Sequence, residues 1–184
     1  MTIKLPRRLA AIPPGTDVLL IIHPQNLPEQ TQYAIDQYVL KGGKALIFVD
    51  PYSETQAALP GAAGASTASN LDRLFQAWGF KLLPEIVVGD RRAARRVAVP
   101  VPGRGSEAMD YVAWLNLQSD NLSRDDPITA DLSQITMATA GIIEQINGAK
   151  TKFTPLIVTS TDAEKIPVDQ AVDELIARIK QVAG

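Results

Sequence analysis

Residues 17–52 constrain the fold more than any other part of this chain. They read DVLLIIHPQNLPEQTQYAIDQYVLKGGKALIFVDPY: an aliphatic run, a helical pattern closed by two glycines, and a second aliphatic run ending in Asp-Pro. Val18–Ile22 is unbroken, as in strands of parallel sheets covered on both faces. Asn26 and Glu29 have capping-box spacing, and Pro28 suits a first helical turn. Ala34, Ile35, Tyr38 and Val39 share one helix face, and Gly42-Gly43 supply a left-handed stop. Residues 45–49 form the second strand. Together these parts make a βαβ unit, with a crossover expected to be right-handed.

The rest of the chain is less regular. Residues 53–69 (SETQAALPGAAGASTAS) are small and polar and predict a loop. Ser69 and Asp72 have capping-box spacing for a second helix, whose Leu71, Leu74, Phe75 and Trp78 line one side before Gly79 ends it. That spacing makes Trp78 a core residue, whereas Trp114 suits either core or partner. Strands are expected over 86–88, 97–101, 111–117, 137–146 and 155–159, with polar turns over 119–134. An amphipathic helix is expected over 168–182, with Val168, Val172, Leu175, Ile176 and Ile179 as its stripe. The pattern predicts one α/β domain over residues 1–184: a three-layer sandwich with a mainly parallel central sheet and a strand-rich second half.

Composition excludes several function classes. The net charge of −2 gives no basic field for nucleic acid. The chain has no cysteine, so disulfides, thiolate metal sites and a cysteine nucleophile are ruled out. One histidine disfavours zinc. Asp120, Asp125, Asp126 and Asp131 lack the glycine and glutamate of a calcium loop and read as solvated turns. No metal or other cofactor is expected. No apolar run approaches the roughly 20 residues of a membrane helix, so no direct membrane insertion by these residues is expected. The N-terminal MTIKLPRRLAAIPPG does not read as a signal peptide.

The run HPQNLPEQTQYAIDQYVLKGGKALIFVDPY resembles the auxiliary components of uncharacterised ABC-type transport systems, a family linked to gliding motility. The segments LDRLFQAWGF, VVGDRRAARRV, DNLSRDDPITADL and TAGIIEQINGAKTKFTPLIVTS are similar to the same family's core. The resemblance implies a periplasmic or otherwise extracytoplasmic domain, excised from a longer protein anchored to the inner membrane. It also implies a permease and an ATP-binding subunit as partners. The implied scaffold is flavodoxin-like or class I glutamine amidotransferase-like, and it brings no established catalytic residues. Amidotransferase chemistry needs a cysteine at a strand–helix elbow, which this chain lacks.

Ligands of open α/β sheets sit beyond the carboxyl ends of the strands. His23 follows the first strand, Asp50 and Tyr52 follow the second, and Ser160 follows the strand expected at 155–159. His23, Asp50 and Tyr52 are the first candidate binding residues, for a small molecule or glycan. Arg91, Arg92, Arg95 and Arg96 are the second group, suited to a phosphate, an anionic glycan or acidic headgroups, or simply to solvent. The leading expectation is a non-enzymatic accessory or binding domain of a transport system. One alternative is a hydrolase with Ser160 as nucleophile, His23 as base and Asp50 as orienter, although no G-x-S-x-G turn presents the serine. Another is a structural protein–protein interaction module.

Overall fold

The computed structural model describes residues 9–61, 64–101 and 105–173. The βαβ unit is present. β1 (Val18–Ile22) and β2 (Lys44–Phe48) pair in parallel, with Leu20 opposite Leu46 and Ile22 opposite Phe48. They are joined by α1 (Glu29–Leu40). Pro28, rather than Asn26, stands at the helix cap, and no side chain caps it. Asn26 instead takes a left-handed backbone, φ 51°. At the other end Gly42 (φ 87°) donates to the Val39 carbonyl and Gly43 to the Tyr38 carbonyl, each at 2.9 Å. This pair of bonds closes the helix as a Schellman motif.

The segment expected as a loop contains a short helix, α2 (Glu54–Ala57), capped by the Ser53 hydroxyl. The next helix, α3 (Asp72–Trp78), ends at Gly79 and passes at once into the long strand β3 (Phe80–Asp90). β4 (Ala94–Val101), β5 (Gly105–Gln118), β6 (Gln134–Ala138), β7 (Gly141–Gln145) and β8 (Ala163–Pro167) follow. They build two three-stranded antiparallel sheets, ordered β7-β3-β8 and β4-β5-β6. The strand expected over 137–146 is broken at Thr139 (φ 45°) into β6 and β7. The one expected over 155–159 is reduced to a single bridge between Ile157 and Leu122. Residues 168–173 are helical, and the rest of the helix expected there lies outside the described residues.

The expected three-layer sandwich with a mainly parallel central sheet is therefore wrong, and the flavodoxin-like or amidotransferase-like scaffold falls with it. Among the described residues the only parallel pair is β1–β2; the strand-rich second half is antiparallel. The reason lies in the connections. β4 and β5 pair antiparallel with only residues 102–104 between them. A parallel pairing needs a crossover of about a dozen residues or more, so a connection this short turns the chain back on itself.

Two apolar clusters position the site. Leu19, Ile35, Leu71, Leu74, Phe75 and Leu82 pack α1 and α3 against one face of β1–β2. Trp78 joins this cluster beside Phe75 and Phe80, and its indole N–H donates to Asp36 at 2.9 Å. Val88, Ala93, Leu115 and Leu117 form the core between the two antiparallel sheets. Among the described residues the other face of β1–β2 has no such cover: Val18, Leu20, Ile22, Leu46 and Phe48 are exposed. β1 is thus buried on one face only, contrary to the expectation from its unbroken aliphatic run.

Candidate functional site

The carboxyl ends of β1 and β2 are tied together by the chain that follows them. His23 extends the ladder by donating its N–H to the Phe48 carbonyl at 2.9 Å, then turns with φ 47° into Pro24. Residues 66–70 cross this end. Ser69 N–H donates to the Asp50 carbonyl, Asn70 N–H to the Pro24 carbonyl, each at 2.8 Å, and Asp50 N–H to the Ser69 hydroxyl at 3.0 Å.

The imidazole sits inside this crossing, and its surroundings assign its protons. Gln25 donates its amide N–H groups toward the Ser66 and Ala68 carbonyls, which orients that amide. Its oxygen then accepts from Gln56 Nε2 at 3.1 Å, which orients the second amide. Gln56 Oε1 therefore faces His23 Nε2 at 2.7 Å, and an amide oxygen only accepts. Nε2 carries the hydrogen. Nδ1 lies 3.0 Å from the Ser69 hydroxyl and 3.4 Å from Asp50 Oδ2. The imidazole is mostly covered, whereas the Asp50 side chain is 43% exposed.

His23 and Asp50 thus meet as expected, but Ser160 is elsewhere. It caps the fully buried Asp90, donating its main-chain N–H at 2.6 Å and its hydroxyl at 2.7 Å. Asp90 also accepts from the N–H groups of Arg92 and Ala93. Burial pushes the Asp90 carboxyl up, but the Ser160 hydroxyl and the three main-chain donors outweigh it, so the group lies below the ordinary aspartate value. Asp90 closes the turn that carries Arg91 and Arg92, whereas Arg95 and Arg96 lie on β4. Arg91, Arg92, Arg95 and Arg96 are all exposed, and among the described residues only Arg96 has an acidic partner, Asp110 at 3.9 Å. Tyr52 lines a different feature: an open groove of about 680 Å³ against Pro84, Glu85, Ile86 and residues 167–169, 172 and 173. Its carbonyl accepts from the Thr139 hydroxyl.

Residues 3–179 match the family described as ABC-type uncharacterized transport system. The chain belongs to that family. It is accordingly an auxiliary component of an ABC-type transport system. None of the curated proteins and none of the solved structures compared with the chain matched it.

The strand-end cluster is not arranged as a Ser-His-Asp triad. In a serine hydrolase the nucleophile and the carboxylate occupy opposite nitrogens of the base. Here Ser69 and Asp50 share Nδ1, and Nε2 is held by a neutral amide. Among the described residues no group of three or more His, Asp or Glu side chains is placed to hold a metal, and no helix is long and apolar enough to cross a membrane. Gln25, Gln56 and Ser69 were not legible as site residues. Ser69 carries a helix-cap signature, yet α3 is capped by Leu71 without any side-chain bond.

Proposed function

We propose that this chain is a non-catalytic binding module of its transport system. In this reading it is of the gliding-motility type, stands outside the cytoplasmic membrane, and reaches permease and ATP-binding subunits through a longer parent protein. The observation that carries the reading is the engagement of both imidazole nitrogens in a loop latch. His23 uses both ring nitrogens to hold Gln56 and Ser69 over the strand ends. What remains for recognition is the half-exposed Asp50 carboxylate and, on the 91–93 turn and the start of β4, the exposed arginines 91, 92, 95 and 96. The second set suits an anionic small molecule or glycan.

One observation favours a second reading. Ser69, His23 and Gln56 are spaced as nucleophile, base and orienter, at 3.0 and 2.7 Å. Against it, the Ser69 oxygen already accepts the Asp50 N–H, which draws electron density away from any attack.

The two readings part in one set of variants. With ester, amide and glycoside substrates, the purified chain is expected to turn over no faster than its Ser69→Ala form. His23→Ala is expected to cost about 1–2 kcal/mol in a urea melt and to speed proteolysis within residues 53–70 several-fold, because three orienting contacts are lost together. Turnover abolished by both Ser69→Ala and His23→Ala would replace the binding module with a hydrolase.

A further inference from the structure

We infer that the uncovered face of β1–β2 is a two-fold interface between copies of this chain. Alternation along the strands sends Leu19 and Ile21 to the helix side and Val18, Leu20 and Ile22 to the other. The outward residues are 55%, 51% and 66% exposed, and their β2 neighbours Leu46 and Phe48 are 46% and 53% exposed. Direct pairing of Leu20 with Leu46 and Ile22 with Phe48 makes one continuous apolar ribbon, two strands wide. Side chains of this size at half exposure present on the order of 500 Å² of apolar surface, near the upper end of what a monomer leaves bare. Strands paired in parallel are ordinarily covered on both faces, and here, among the described residues, one face is not.

Self-pairing fits this face in charge and area. One apolar sheet face packs on another in sandwiches. Lys44 is exposed on the same face at one end, opposite Val18 in the register. Asp50 stands two residues beyond Phe48 at the other end, with its carboxylate 43% exposed. A two-fold axis perpendicular to the strands at the middle of the ribbon lays each Lys44 toward the partner's Asp50 end, so the charges match twice. Two such faces bury about 1,000 Å² in total, at the threshold of a specific interface. The dimer is therefore weak, with dissociation in the micromolar range, and it forms with concentration.

Sedimentation velocity from low to several hundred micromolar chain tests this. The wild-type chain is expected to shift from monomer to dimer across that range. Leu20→Glu is expected to remain monomeric throughout, as is Leu20→Thr/Phe48→Thr, which keeps strand propensity if the charged variant folds poorly. Lys44→Glu is expected to weaken the dimer about tenfold, by removing two charge pairs and setting like charges together. Circular dichroism checks that each variant is folded. A wild-type chain that stays monomeric at every concentration overturns the inference, including one that instead binds lipid vesicles. So does a dimer that survives Leu20→Thr/Phe48→Thr.

Discussion

Asp90→Ala is expected to lower stability by about 3–4 kcal/mol, the largest effect of any single side chain at the sites described here. Asp90 is 0% exposed and accepts four hydrogen bonds, two from Ser160 and one each from Arg92 and Ala93. Alanine leaves three main-chain N–H groups and one hydroxyl to find new partners in a dry turn. A urea melt followed by circular dichroism should show a lower midpoint with an unchanged slope. The carboxylate form is the one these donors favour, so its folded-state pKa is below the unfolded value. Its contribution is complete above the ordinary aspartate pKa of about 3.9 and is lost as the pH falls through the folded value. Wild-type stability should therefore decline on acidification below that point, and the Asp90→Ala protein should lose that part of the decline. Equal acid slopes for both proteins would show that the turn does not hold a charged Asp90.

Gly79→Ala is expected to cost about 3 kcal/mol, and Gly42→Ala only about 1 kcal/mol. Both glycines end helices with φ 87°. A side chain at either position meets the same left-handed backbone penalty. They differ in space. A Cβ at Gly42 meets nothing within 4 Å, whereas one at Gly79 falls 2.5 Å from the Ala149 Cβ and 2.7 Å from the Thr151 hydroxyl oxygen. That segment cannot readily retreat. Ile146 N–H bonds the Gly79 carbonyl at 2.9 Å, and the Thr151 hydroxyl bonds the Trp78 carbonyl at 2.5 Å. The difference between the two melts thus isolates the packing of α3's end against residues 146–151. Equal losses at the two positions would mean that this packing contributes nothing.

The legible part of the fold was local. The βαβ unit followed from aliphatic runs and a glycine pair within about thirty residues, and its strand ends then placed His23 beside Asp50. The antiparallel β4–β5 pair was also latent in the chain, because the three residues between the two strands are too few for a crossover. The reading favoured parallel pairing because an unbroken run such as β1 resembles a doubly covered strand. In fact only its Leu19 side is covered.

The serine was misplaced for a different reason. Ser160 and Ser69 are both plausible neighbours of a histidine at a strand end, and only packing separates them. Ser69 reaches His23 across 46 positions, and Ser160 reaches Asp90 across 70. Local propensity carries no information about such pairings. Ser69 even bore a competing local signal, the S-x-x-D spacing of a cap that the structure leaves unused.

Unaided, the amino-acid order determined the parallel pair, its helix stop, the absence of thiol chemistry and the arginine-bearing turn, because each depends on residues close along the chain. Tertiary structure alone decided that Gln56 and Ser69 close over the imidazole, that Asp90 is the buried anchor of the arginine turn, and that one face of β1–β2 stays open. Those outcomes depend on which distant segments win the competition for the same hydrogen-bonding groups and the same apolar surface, and that competition is settled only when the chain is packed.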